Sequence, residues 1–333
     1  MPTTPPKPSW MQRLTGAQAR QKLLAFASLL VLIAVFSALK PDAFMTRDNI
    51  IGILQSTTVI GVLAIASTFI IITSGIDLSV GVLMTFCAVM AGVFLVNLGM
   101  PLPLGIVCAL AMGALSGCLS GLAITRLGVP PFIATLGMMM LLKGLSLIIT
   151  DARPIYFSDV EGFDQIALGS WIGEIFPALP IPNGVLIMFV VAIVCALVLN
   201  KTALGRYTFA LGSNEEAVRL SGVNVARWKV IIYSFSGAIC GVAGLLIASR
   251  LNSAQPALGQ GYELDAIAAV VIGGTSLSGG VGTILGTVIG AFIMSVLING
   301  LRIMSVAQEW QMVLTGLIII LAVYTDNLRR NKK

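Results

Sequence analysis

Asp77 is the only acidic side chain between Asp48 and Asp151, and it stands in the run Thr73-Ser-Gly-Ile-Asp-Leu-Ser-Val-Gly81 with apolar sequence on both sides. An ionisable group surrounded by hydrocarbon is costly, so it faces a cavity or a partner. Two compatible roles fit it. Asp77 can line one end of a polar pathway together with Thr73, Ser74 and Ser79. Alternatively, Asp77 and Ser79 can cap the helix that starts near Leu78 by accepting from its first amides. The other half of the chain holds a second hydroxyl-bearing interruption, Thr275, Ser276 and Ser278, inside the glycine-rich run 273–282. With one residue skipped, Ile72 to Ser79 echoes Ile272 to Ser278. Paired glycine-interrupted segments in two halves of a membrane protein point to a transport pathway.

Two further segments carry charge. In 202–222, Asn214 can cap a short helix, with Glu215 and Glu216 favourable in its first turn, Arg219 further along and Gly222 as a left-handed C-cap. A short charged helix bracketed by glycines suits protein docking better than a plain solvated loop. In 253–265, Glu263 and Asp265 precede an apolar run; they read as helix-end acids or as an outward rim that meets a partner or substrate. Lys143 lies within an apolar stretch, where it snorkels or pairs with an acid.

Much chemistry is excluded. The chain has no histidine, so the commonest general base and metal ligand is missing. Its five cysteines, Cys87, Cys108, Cys118, Cys195 and Cys240, fall inside apolar segments without metal-ligand spacing and read as small packing residues. No phosphate-binding Gly-x-x-x-x-Gly-Lys-Ser/Thr loop occurs, so no ATP site is expected in this chain. Catalytic residues and metal ligands are not expected, and neither is a cofactor.

The elements that position these segments follow from composition. Of 333 residues, 57% are hydrophobic and 10% charged, and mean hydropathy is +0.98. A soluble domain carries about 25% charged residues; this chain has too little polar material to coat a water-facing surface. Apolar stretches near 23–39, 50–72, 78–97, 102–125, 131–150, 183–200, 229–248, 264–275, 282–303 and 309–325 predict an all-α polytopic membrane protein with about ten transmembrane helices. The eighth is short and reads as broken or re-entrant, which is tolerated where protein covers it. Glycine rows at 113, 117 and 121, at 237, 241 and 244, and at 282, 286 and 290 predict close helix seams.

Orientation follows the Lys/Arg bias. The N-terminal tail 1–22 carries Lys7, Arg13, Arg20 and Lys22 with no acid, and no cleavable signal peptide is expected there. The loop 201–229 carries Lys201, Arg206, Arg219, Arg227 and Lys229; the tail 326–333 carries Arg329, Arg330, Lys332 and Lys333. These three segments are expected in the cytoplasm, flanking a single permease domain at 23–325. The loop 151–182, with five acids against Arg153 alone, is expected outside. The formal charge of +6 reflects these basic segments rather than nucleic-acid binding.

At four runs the chain resembles a known family: TSGIDLSVG (73–81), PFIATLGMMMLLKG (131–144), TALGRYTFALGSNEEAVRLSGVNV (202–225) and SAQPALGQGYELDAIAAVVIGGTSLSGG (253–280). They are similar to the permease subunits of carbohydrate ABC importers serving ribose, galactose and xylose, and most like the ribose type. The resemblance covers roughly residues 45–325. It implies a permease in a bacterial inner membrane that imports a monosaccharide, ribose or another pentose, and is not itself an enzyme. It implies three partners: a second permease copy, an ATP-binding cassette subunit that holds ATP and Mg, and a periplasmic sugar-binding protein. It carries coupling to the ATPase onto Asn214, Glu215, Glu216, Arg219 and Gly222, and the translocation pathway onto segments 73–81 and 273–280. The alternatives are an ion-coupled secondary carrier and an ABC permease for nucleosides or branched-chain amino acids. A further rival, an intramembrane enzyme, is not expected for want of histidine and of paired catalytic carboxylates.

Overall fold

The computed structural model describes residues 17–177 and 180–330. Lys7, Arg13, Lys332 and Lys333, on which part of the orientation argument rests, lie outside the described residues, as do the side chains of Arg20, Lys22, Asp326, Arg329 and Arg330.

A helix occupies each of the ten apolar stretches. α1 covers Ala17–Leu39, the short α2 Pro41–Phe44 and α3 Arg47–Ile72. α4, Val80–Gly92, continues through a wider π turn to Asn97. α5 is Leu102–Arg126 and α6 Pro131–Ile149. After the two-residue strand β1 (Ile155–Tyr156) and the short α7 (Trp171–Ile175) comes α8, Asn183–Lys201. α9 (Ala203–Leu220), α10 (Val225–Leu251), β2 (Ser253–Ala254) and α11 (Tyr262–Ile272) follow, then α12 (Ile284–Ile303) and α13 (Gln308–Arg330). Seven of these helices are long and apolar enough to cross a membrane, so the protein is an all-α polytopic membrane protein.

Helix ends fall where the local chemistry puts them. Thr46, Asn224 and Thr283 accept from Asn49 N, Arg227 N and Gly286 N and so cap α3, α10 and α12. Proline opens α6. Asn252, left-handed at φ 48°, closes α10.

α3 and α10 form the centre. Every residue of α3 from Thr57 to Ile72 is buried, as expected of a helix apolar all round. α10 packs against α5, α4 and α3, and α12 against α3, α11 and α1. The glycine rows make the seams. A Cβ on Gly113 or Gly117 would strike the backbone of Gly237 or Tyr233, and one on Gly290 would strike the Ala269 carbonyl. Outward faces stay apolar: Val107 and Leu115 on α5, Met140 and Ile148 on α6, Val190 and Ile193 on α8 are all exposed. For a helix bundle in lipid this is the stable arrangement.

Connections gather at two opposite ends. At one end, β1 pairs antiparallel with β2, placing Ile155 opposite Ala254, and Ser249 Oγ donates to Phe163 O at 2.7 Å, pinning the loop 151–182 to α10. At the other end lie the segments 73–79, 202–224 and 273–283.

Candidate coupling and pathway site

The two echoing segments meet. α3 ends where Thr73 Oγ1 donates back to Ile70 O at 2.7 Å, and Ser74 turns left-handed at φ 63°. Its hydroxyl then donates to Ser278 O at 2.8 Å. Gly280 N donates to Ile72 O at 2.9 Å. The loop 273–283 is folded on itself by Ser276 N to Val281 O and Gly279 N to Ser276 O, both 3.0 Å. Gly279 and Gly280 need their positive φ, and a Cβ on Gly279 would meet the Ser74 hydroxyl. Thr275 is buried, with its hydroxyl unpaired among the described residues.

Beyond Ser74 the chain climbs back into the bundle. Gly244 packs on Met84 and Ala88, so α4 begins opposite the middle of α10 rather than at its end. Asp77 therefore sits deep, 6% exposed, where its Oδ1 accepts from Ser79 N at 2.7 Å and from Ser79 Oγ at 2.6 Å. Asp77 thus folds the turn ahead of α4, whose N-cap residue Ser79 makes no side-chain capping bond and spends its hydroxyl on that carboxylate. Thr135, in the first turns of α6, holds the same loop by accepting from Leu78 N at 3.2 Å; its own proton goes to Pro131 O at 2.9 Å, with Ile76 O 3.3 Å away. Thr135 falls inside the family-like run 131–144, where the sequence alone shows no role for it. A β-branched hydroxyl one turn after a Pro-Phe helix start was the available signal.

The segment 253–265 also reaches this depth. Gly81 and Gly259 are in backbone contact such that a Cβ on either would collide with the carbonyl of the other. Both Glu263 carboxylate oxygens accept from Gly261 N, at 3.1 and 3.0 Å, which satisfies the amide of the N-cap residue just ahead of α11. Glu263 is thus a buried helix-end acid, whereas Asp265 faces a cavity. Among the described residues Lys143 pairs with no acid: its Nζ donates to Gln260 Oε1 at 2.8 Å. α11 has 11 residues, about 16 Å. It starts within the bundle, is covered by α3 and α12, and ends at Gly273 and Gly274, where the hydroxyl-bearing loop begins. The short eighth stretch is a half-helix of this kind.

α9 joins that junction to the surface. Asn214 breaks it with an extended backbone, φ −164°, ψ 97°, and its Oδ1 accepts from Ala217 N at 2.9 Å, capping the helix 215–220. Gly222, left-handed at φ 79°, follows the C-terminus and donates to Arg219 O at 3.0 Å. Before the break, Gly212 packs against Ile72 O and Gly280 N, and Gly212 O lies 3.4 Å from Ser74 Oγ. One continuous element therefore touches both loops and then projects outward. The charges divide their roles. Lys229 Nζ donates to Glu215 Oε2 at 2.7 Å, anchoring the short helix on α10, and the Tyr207 and Trp228 rings lie 4.3 Å apart beneath it. Arg219 reaches Glu216 at 3.5 Å and Glu215 at 3.8 Å, yet stays 61% exposed, as Glu216 does at 64%. Leu220, 81% exposed, completes this outer face.

A family model described as branched-chain amino acid transport system / permease component matches residues 49–323. The ribose import permease of Escherichia coli K12 is 45% identical over 303 residues, covering 91% of this chain and 92% of that protein. The ribose import permease of Bacillus subtilis is 41% identical over 307 residues, 92% of each. The fructose import permease of Rhizobium meliloti is 38% identical over 303 residues, 90% and 83%. No solved structure matches. The chain, a transport component rather than an enzyme, belongs to the branched-chain amino acid transport system / permease component family.

Proposed function

We propose that this chain is the membrane-spanning subunit of an ATP-driven importer that carries a monosaccharide, ribose or another pentose, into a bacterial cytoplasm. The observation that carries the reading is α9. Its capped segment 215–220 stands exposed, while Gly212 and Ser213, just before the break, touch both the 73–79 and 273–283 loops. A force on the exposed helix is delivered to both loops at once. Relatives named as ribose import permeases, at 41 and 45% identity, support the substrate class.

The topology proposed is ten crossings with both termini cytoplasmic. Lys201, Arg206, Arg219, Arg227 and Lys229 lie at the α9 end and the acidic loop 151–182 at the other, which supports that orientation. In this frame Thr73, Ser74, Asp77, Ser79, Thr275, Ser276 and Ser278 form the inner end of the pathway, closed by the bond from Ser74 to Ser278. Asn214, Glu215, Glu216, Arg219 and Gly222 shape the helix that a separate ATP-binding subunit, carrying ATP and Mg, would grip. A second permease copy and an external sugar-binding protein complete the assembly.

The mechanism is a population shift. ATP-driven closure of the partner favours one position of the 215–220 helix, and its differential contacts move the equilibrium between inward- and outward-open states. A neutral sugar needs only hydroxyls, amides and weak binding along the way. The test is purification of the tagged chain in mild detergent, followed by uptake in liposomes with what co-purifies. A stoichiometric ATP-binding subunit and ATP-dependent ribose uptake are expected. Sugar uptake by the chain alone, abolished by an ionophore, would instead establish an ion-coupled carrier, and a labelled substrate panel separates sugar from nucleosides and branched-chain amino acids.

A further inference from the structure

A cavity of about 510 Å3 lies between α3, α10, α11, α12 and α13. Its lining runs from Tyr262 and Asp265 in the first turn of α11 to Arg250, Arg302 and Gln308 at the helix ends nearest the 151–182 loop, with Gln311 on the α13 wall. The ion pairs among the described residues all lie on or beside the 215–220 helix. Neither guanidinium, nor the Asp265 carboxylate, has a side-chain hydrogen-bond partner among the described residues. Arg302 is exposed, but Arg250 and Asp265 are partly buried, and polar groups held in a bundle without partners are costly. Opposite charges that face one cavity without pairing across it leave their hydrogen bonds for an occupant.

The mixture of groups selects the occupant. A sugar hydroxyl donates and accepts at once, so a neutral polyol uses a carboxylate acceptor, guanidinium donors and amides together. A phosphate would use the two arginines but meet Asp265, with Glu263 one turn edge away on the same helix start. The size suits a small molecule, since ligand cavities run about 300–1,000 Å3, and a monosaccharide fits here with water around it. Tyr262 offers an aromatic face beside these groups.

We propose that this cavity is the outward-facing sugar site, with Asp265, Arg250 and Gln311 as its principal hydrogen-bonding groups; the proposal rests on the importer reading above. α11 then connects the two ends of the route. Its first turn touches the sugar, and its last residue, Ile272, leads into the loop that Ser74 holds shut.

The test uses the full chain in phosphatidylcholine nanodiscs and saturation-transfer NMR with D-ribose, with glycerol 3-phosphate as the anion probe. Wild type is expected to transfer saturation to ribose protons. Asp265→Asn on α11 and Gln311→Ala on α13 are each expected to cut the signal about fivefold, the loss of one hydrogen bond, while Gly137→Ala, in open space, leaves it unchanged. Full ribose signal in both variants overturns the proposal, and so does displacement of ribose by glycerol 3-phosphate. ATP-dependent ribose uptake by the reconstituted complex without any transfer signal overturns the cavity alone. Transfer that the variants abolish, in a chain whose complex takes up no sugar, supports the cavity and removes the importer reading instead.

Discussion

The Ser74 hydroxyl donates to the Ser278 carbonyl at 2.8 Å, joining two loops 204 residues apart in the sequence. Both residues are exposed, so the bond stands where the loops face open space, and Ser74 adopts φ 63° to make it. Glycine takes that φ without strain. Ser74→Gly therefore removes the hydroxyl while preserving the backbone. Loss of one hydrogen bond, about 1 kcal/mol, shifts a two-state equilibrium about fivefold. Expected is a rise of that order in sugar-independent ATP hydrolysis by the reconstituted complex, with unchanged yield of folded chain. Unchanged basal hydrolysis would show that the bond does not hold the inner end closed.

Asn214 both breaks α9 and caps the helix that follows. Asn214→Ala is expected to fray residues 215–220, at about 1 kcal/mol, while Asn214→Asp keeps the cap. Hydrogen–deuterium exchange over 215–220 measures it: faster exchange in the alanine variant, near wild-type exchange in the aspartate variant. The same rate in both would remove the capping role.

Thr135 is fully buried and its hydroxyl accepts from Leu78 N, while its proton goes to Pro131 O. Thr135→Val keeps the shape and removes the hydroxyl, leaving Leu78 N without that acceptor. The expected cost is about 1–3 kcal/mol, read as a lower thermal midpoint in detergent. Thr135→Ser restores the hydroxyl and is expected to recover most of it.

The α5–α10 seam gives a sharper contrast. A Cβ at Gly117 would run into the Tyr233 carbonyl, whereas one at Gly137 on α6 meets nothing within 4 Å. Gly117→Ala is expected to lose at least about 1–3 kcal/mol by overpacking, seen as poor recovery of monodisperse protein. Gly137→Ala is expected to match wild type or improve on it, because alanine is the better helix former.

Hydropathy and glycine punctuation made the helices legible, because span length and the small-residue rows are properties of local sequence. The cap at Asn214 and the left-handed Gly222 were legible for the same reason: capping is settled within four residues. Asp77 was legible only as a pair of compatible roles. Its depth depends on the 73–79 loop climbing back to the middle of α10, and that depends on Thr135, 58 positions away in sequence and visible only in the fold. The Lys143 partner, Gln260, was missed because an acid was sought where an amide sufficed. The contact of Gly81 with Gly259 and the cavity around Asp265 arise from the half-helix α11, whose short length was readable but whose neighbours were not.

Arg219 and Leu220 supply the last prediction. Among the described residues Arg219 is tied only to Glu215 and Glu216 on its own helix, and such exposed pairs contribute little to stability. Arg219→Glu should therefore leave the chain folded while reversing the charge at the exposed face. Leu220 projects almost fully into the surroundings, where a lone apolar side chain at the end of a capped helix suits a pocket on a partner. Both Arg219→Glu and Leu220→Asp are expected to weaken retention of the ATP-binding subunit by about tenfold or more, equivalent to ~1.4 kcal/mol, and to separate ATP hydrolysis from ribose uptake. Glu215→Gln acts differently, because Glu215 reaches inward to Lys229. It is expected to loosen the helix from α10 and lower uptake with retention unaffected. Wild-type coupling in the Arg219 and Leu220 variants, with the subunit still bound, would move the docking face away from residues 215–220.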